Sequence, residues 1–218
     1  MKIEQKLKTF GSVPLTHGIL LSLLAEYRSP NDKIVRLMHE GWLVAVKRGL
    51  YVVSPELTSI PVSLPLVANH LYGPSCVSMD YALSHYGIIP DRVFDVTSMT
   101  IRRSKRYDLQ LGRFSYTHSD QKLYSVGIDR VVNADKTTFM IASPEKALCD
   151  KLLFTRNLNS VTSRDLQALL FEDLRVDDEQ FARFDPQVIE ASLQGGYKVK
   201  LLQTLLHLLK SMKSRRIG

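Results

Sequence analysis

Three groups of side chains in this sequence have the composition and spacing to do chemistry. Arg102-Arg103-Ser104-Lys105-Arg106 holds four cations in five positions at the end of a β-rich run. Such a segment is either a solvated turn or a phosphate-binding loop, in which each bound phosphate releases counterions. Asn31, Lys33 and Arg36 fall in the first turns of a helical segment, and Lys47 and Arg48 at the tip of a β-rich pair. A side-chain amide can read a base edge, whereas lysine and arginine meet phosphate. Glu145, Lys146 and Asp150 combine two carboxylates with an ammonium at helical spacing, so they could share a groove. The same stretch also fits a plain helix start, with Ser143 as cap, Pro144 in the first position and Glu145 at the positive end.

Patterns that carry catalysis are missing. His17, His39, His70, His85, His118 and His207 form no His-x-x-x-His pair, and neither Cys76 nor Cys149 has a second cysteine nearby. There is no Gly-rich phosphate loop and no Gly-x-Ser-x-Gly elbow. Asp108, Asp120, Asp129 and Asp135 are scattered as turn residues are, rather than converging on a metal. The reading is a binding protein rather than an enzyme, with no cofactor and no metal.

The 218 residues are 44% hydrophobic and 23% charged, which suits a globular chain long enough for one large domain or two small ones. No apolar run approaches the ~20 residues of a membrane-spanning helix. The polar start, Lys2-Ile3-Glu4-Gln5-Lys6, lacks an apolar signal core, and two cysteines cannot build a disulfide framework. A cytoplasmic protein with no membrane partner is expected. The net charge of +7 is uneven: residues 1–56 and 57–163 carry +3 each, residues 164–197 carry −5, and residues 198–218 carry +6. A basic front, an acidic segment and a basic tail suggest separate surfaces, and the basic balance is compatible with nucleic acid.

The elements that must position these groups follow from periodicity and capping. Ile3, Leu7 and Phe10 mark a first helix, stopped at Gly11-Ser12. Pro14 to Thr16 opens a second, with Leu20, Leu23, Leu24 and Tyr27 on one face. Ser29-Pro30-Asn31-Asp32 starts a third that ends at Gly41. Trp42 to Val46 and Leu50 to Val53 form a hairpin across Lys47-Arg48-Gly49. Three helices and a basic-tipped hairpin are the order of a winged helix-turn-helix DNA-binding domain over residues 1–55. Residues 56–65, within a run holding three prolines, read as a linker. Residues 66–218 form an α+β domain. Helices are expected at Leu66 to Tyr72 and Tyr81 to Tyr86. Strands at Val96 to Ile101, Phe114 to Thr117, Lys122 to Val132 and Thr138 to Ala142 would make a mostly antiparallel sheet. From Ser143-Pro144 onward the pattern is helical, ending in a leucine-rich helix with a basic tail at Lys210, Lys213, Arg215 and Arg216.

Three stretches together resemble the AbiEi-type antitoxins of type IV toxin–antitoxin systems. They are Leu37-Met38-His39-Glu40-Gly41-Trp42-Leu43 with Lys47-Arg48-Gly49-Leu50-Tyr51, then Val77-Ser78-Met79-Asp80-Tyr81-Ala82-Leu83-Ser84-His85-Tyr86-Gly87, and Ser143-Pro144-Glu145-Lys146-Ala147-Leu148-Cys149-Asp150. The resemblance implies a two-function protein of phage defence by abortive infection. Its N-terminal domain would bind inverted repeats of operator DNA in its own promoter and repress the operon. Its C-terminal domain would antagonise a cognate nucleotidyltransferase toxin without forming a stable complex with it. The alternatives are a nucleic-acid-processing enzyme such as a nuclease, or a ligand-sensing transcription factor without a toxin partner.

Overall fold

Helix starts and stops fall where backbone capping demands them. The computed structural model describes residues 2–158 and 161–217, and of the basic tail the Arg216 side chain lies outside the described residues. Its front unit runs α1 (Ile3–Lys8), β1 (Leu15–Thr16), α2 (His17–Leu23), α3 (Pro30–His39), β2 (Leu43–Lys47) and β3 (Leu50–Val53). Pro30 occupies the first turn of α3 with Asp32 beside it, and Gly41 takes the left-handed φ of 73° just past the helix end. The second helix begins later than its apolar pattern suggests. Leu15 and Thr16 pair with Tyr51 and Leu50 as a short strand, and the Thr16 hydroxyl then accepts from the Ile19 N–H to cap α2. The three strands are antiparallel in the order β1-β3-β2. Leu7, Leu15, Leu20, Leu24, Ile34, Leu37, Leu43 and Val53 close this unit into a core of its own.

Residues 56–65, expected to be a linker, are built into the fold. Ser54 caps the short helix α4 (Pro55–Thr58), and α5 (Leu64–Leu71) begins with Pro65 in its first turn. Leu57 packs on the front core, whereas Val62 and Leu64 pack on the larger core behind it.

That larger core surrounds a six-stranded sheet of β4 (Ser75–Val77), β5 (Val96–Thr100), β6 (Lys105–Leu109), β7 (Gly112–His118), β8 (Ile128–Val132) and β9 (Thr138–Ala142). Its order is β6-β7-β5-β4-β9-β8. The β6/β7, β4/β5 and β8/β9 pairs are antiparallel, as expected of a mostly antiparallel sheet, but β5/β7 and β4/β9 are parallel, so the sheet is mixed. The cause is chain routing: each hairpin swings its first strand outward and docks the second beside an earlier strand. Lys122 to Val126, expected as strand, is not one. Asp120 accepts from the Leu123 N–H at 3.0 Å and starts the short helix α7 (Gln121–Tyr124) instead. Helices α6 (Met79–His85) and α8 (Pro144–Phe154) pack on each other and on β9. Helix α9 (Ser163–Ala168), a π-helical turn (Leu169–Asp173), α10 (Asp178–Arg183), α11 (Pro186–Leu193) and α12 (Val199–Ile217) follow. Leu201, Leu202, Leu205, Leu208 and Leu209 bury one side of α12. No helix among the described residues is long and apolar enough to cross a membrane.

Two polar contacts fix the architecture. The first joins the two C-terminal stretches singled out above. Lys146 and Asp150, one helical turn apart on α8, form an ion pair with side-chain exposures of 2% and 0%, and Ser78 Oγ donates to Asp150 Oδ2 at 2.7 Å. Burial pushes the Asp150 carboxyl up, and Lys146 and Ser78 pull it only part of the way back. These residues therefore do not open onto a groove. Glu145, the third member of the expected cluster, turns away and accepts from the Asp185 N–H at 3.0 Å. Gly127 allows the close approach that this arrangement needs: its φ is +56° and a Cβ there would lie 2.9 Å from Lys146 Cβ. The second contact docks the front unit. Asp135, in the turn between β8 and β9, accepts from Ser12 N at 3.2 Å and Ser12 Oγ at 2.5 Å through one oxygen. Its other oxygen accepts from Thr137 N at 3.1 Å and Thr137 Oγ1 at 2.6 Å. Burial pushes this carboxyl up, but the hydrogen bonds from Ser12 and Thr137 outweigh it and hold it at about 2.

Two outcomes follow from these contacts. Asp150→Ala leaves a buried ammonium unpaired and should cost about 3–5 kcal/mol, whereas the double change Lys146→Met with Asp150→Leu should recover most of it; chemical denaturation measures both. Asp135 has a folded-state value below its ordinary 3.8, so its contribution is present above about pH 4 and lost as the pH falls through about 2. The stability difference between the parent protein and Asp135→Ala, read by thermal unfolding at stepped pH, should shrink over that window.

Candidate nucleic-acid interface

On α3, helical spacing separates a buried side from a projecting one. Ile34 and Leu37 face the front core, while Asn31, Asp32, Val35, Arg36 and His39 are exposed. Val35 stands 48% exposed in this polar row, and the sequence reading passed over it. The available signal was its phase: it lies out of step with Ile34 and Leu37. Lys33 is half-buried and its ammonium lies 5.8 Å from the centre of the Tyr27 ring, so it does not share the row of Asn31 and Arg36.

At the hairpin tip the two basic residues have different surroundings. Lys47 Nζ donates to the Leu71 carbonyl at the end of α5 and lies 5.9 Å from the centre of the Tyr107 ring. Arg48 is exposed and makes no ion pair among the described residues. Val46, Leu50 and Val52 explain the difference, because these hairpin residues are buried in the larger core rather than the front one. One face of the hairpin is thus pressed onto the second unit.

The basic segment is only partly a loop. Arg102, Arg103 and Ser104 form the turn, and Lys105 and Arg106 begin β6, where neighbours point to opposite faces of the sheet. Lys105 lies 4.8 Å from the Tyr107 ring centre and 5.6 Å from that of Tyr72, and Arg102 lies 5.7 Å from Tyr72. The Tyr72 hydroxyl donates to the Arg103 carbonyl at 3.2 Å. Tyr72, Tyr107 and Tyr116 pack together, with centroid separations of 5.2 to 6.2 Å. Lys47 from the hairpin and Lys105 from the basic segment therefore share one ring, although they are distant in sequence. Arg106 opens instead onto the other face of β6.

None of Lys33, Arg36, Lys47, Arg48, Arg102, Arg103, Lys105 and Arg106 is ion-paired among the described residues. Other cations are: Arg113 meets Asp95 at 2.9 Å, Arg175 meets Asp91 at 2.5 Å and Lys210 of the basic tail meets Glu190 at 2.7 Å. The face that joins the hairpin to the basic segment is cationic, tyrosine-backed and open to an anion. Of the four sheet-region acids expected in turns, Asp120 and Asp135 cap or brace turns, whereas Asp108 and Asp129 sit on strands.

Lys47→Ala should lower stability by about 1 kcal/mol, since it removes a docked ammonium. Arg48→Ala should change it by no more than about 0.5 kcal/mol. Paired thermal melts distinguish the two roles.

No family model and no curated protein sequence matches this chain. Among solved structures, the fold is similar to the crystal structure of the RV2827C protein from Mycobacterium tuberculosis, at 17% identity and a TM-score of 0.50. The match covers 94% of this chain and 80% of that one, so the likeness extends over both units. At that identity it is a likeness of fold: mixed α+β, with a mixed sheet and helices.

Proposed function

We propose that the chain is a DNA-binding antitoxin of the AbiEi type that represses its own operon. In this reading the front unit works as a winged helix-turn-helix. Helix α3 enters the major groove with Asn31 and Val35 at base edges and Arg36 on phosphate, and the wing lays Arg48 along the backbone. The observation that carries the reading is the shared Tyr107 ring, which brings the wing tip and the basic segment to one surface. Arg102, Arg103 and Lys105 then lengthen the phosphate track beyond the front unit, which by itself carries only +3 over residues 1–56. Lys47 serves mainly to dock the wing, because its ammonium already has a carbonyl partner.

The same reading assigns binding, not catalysis, to the second unit, which would oppose a nucleotidyltransferase toxin. The two C-terminal stretches that carry the family resemblance meet at the buried Ser78–Asp150–Lys146 contact. Their part is to build the scaffold, so the surface that opposes the toxin is to be sought elsewhere on this unit. A cut at the Pro-rich stretch would not separate the activities cleanly, since it strips Val46, Leu50 and Val52 from the larger core. Surface variants of the full chain are the better tool.

The test is a mobility shift on the chain's own promoter, without magnesium, at stepped salt. Arg36→Ala and Arg48→Ala should each weaken binding and flatten the salt dependence by about one unit of slope. Both variants should still rescue cells from a nucleotidyltransferase encoded beside the gene. Unchanged operator affinity in the Arg36 and Arg48 double variant would reject the assignment.

A further inference from the structure

The face of β6 that carries Arg106 is the least explained surface of the molecule. Strand pairing sets Arg106 opposite Ser115 on β7, and Ser115 opposite Thr97 on β5, so these three share one face, with Thr117 two residues further along β7. Beside them lies a cleft of about 650 Å³, bounded on its far side by Phe154 at the end of α8 and by Arg156 just beyond it. Lys105 reaches its rim. Among the described residues no carboxylate lines this cleft, whereas Arg113, on the same face of β7, is already paired with Asp95. Thr97 is occupied, donating to the Ser78 carbonyl at 2.6 Å, but the Ser115 and Thr117 hydroxyls have no partner among the described residues. Ser104 Oγ accepts from the His118 N–H at 2.9 Å, which leaves its own proton free to donate. Phe154 lines the cleft, its ring centre lies 5.8 Å from that of Tyr197, and the Lys198 ammonium lies 5.6 Å from the centre of the Tyr197 ring.

We propose that this cleft binds a nucleoside triphosphate, with its phosphate chain between Arg106 and Arg156 and its base against Phe154. Two guanidinium forks supply two positive charges to the phosphates, and the free hydroxyls supply neutral donors. A cavity of this size takes a nucleotide and not a duplex. Base stacking on Phe154 is tolerant of base identity, so the class of ligand is fixed more firmly than its base. The site is separate from the operator surface. Lys105 and Arg106 are neighbours in sequence, yet strand alternation sends one to Tyr107 and the other into the cleft. The inference does not rest on the DNA-binding reading and survives its failure.

The experiment titrates the full-length protein with CTP, ATP and inorganic pyrophosphate by calorimetry at about 150 mM salt, where diffuse surface attraction is screened. Both nucleotides should bind, and more tightly than pyrophosphate. Arg106→Ser and Arg156→Ser should each weaken nucleotide binding about tenfold or more, and Arg156→Ser should leave promoter affinity unchanged. Phe154→Leu keeps an apolar side chain but removes the ring, and should bring the nucleotides down towards pyrophosphate. Circular dichroism establishes that each variant is folded; Arg106 and Arg156 are exposed, so both should be. No nucleotide binding by the parent protein, or binding indifferent to both arginine variants, would overturn the proposal. Equal binding of nucleotide and pyrophosphate in the parent protein would also overturn it, reducing the cleft to a polyanion site.

Discussion

A carboxylate with no access to water has to be compensated inside the protein, and Asp150 is the point on which the larger unit turns. Its two oxygens are answered by Lys146 from its own helix and by Ser78 from the start of α6. Because an unpaired charge there would cost several kcal/mol, α6 and α8 are held in one relative placement. That placement seats both helices on β9, beside the parallel β4/β9 pair that closes the middle of the sheet. Lys151 and Asp80 repeat the link nearer the surface at 2.8 Å. Cys76 and Cys149 sit in the same interior, where burial pushes both thiols up to about 12, so they behave as small apolar side chains rather than nucleophiles.

The front unit has its own core but is fastened to the larger one at three places. Asp135 clasps the Ser12 corner, Lys47 reaches the end of α5, and the inner face of the hairpin contributes Val46, Leu50 and Val52 to the second core. Contacts so far apart on a small unit leave it little freedom to rotate. The hairpin tip therefore has a fixed position relative to Arg102 and Lys105, and a fixed spacing of charges is what a ligand with regularly spaced phosphates requires.

How much of this was legible in the sequence depends on how local its cause is. The Ser29-Pro30 and Ser143-Pro144 helix starts, the Gly41 stop and the leucine stripe of α12 all have causes within a few residues, and each reads directly. The two-residue strand β1 and the three-residue strand β4 are too short to show alternation, and they exist only because a partner strand is already in place. The parallel pairs join strands with others between them, which no local pattern encodes. The basic segment misled for another reason. Lys105-Arg106-Tyr107-Asp108-Leu109 alternates, but its inward positions begin with a lysine, so an apolar count sees a loop. Arg156 was invisible as a site residue because a single cation in a turn carries no signal until the fold sets it across from Arg106. Lys47 was legible as a cation, but its carbonyl partner lies 24 residues away at Leu71.

The electrostatics of the joined surface give the last step. Like charges brought to one surface repel, so grouping Lys47, Arg102 and Lys105 around the same rings, with no ion-pair partner among the described residues, destabilises the isolated protein. The tyrosine faces offset part of that, since a cation over an aromatic ring at an exposed site gains about 0.5–1 kcal/mol. Tyr72 and Tyr107 are themselves anchored through Tyr116, whose hydroxyl donates to the Ala68 carbonyl of α5 at 2.7 Å. The rings thus hold the cations in place without neutralising them. A carboxylate in the same position would have relieved the repulsion more fully, as Asp95 does for Arg113, but it would also have cancelled the field. Backing the cations with rings keeps the surface both ordered and positive, which is the combination that an anionic partner can use.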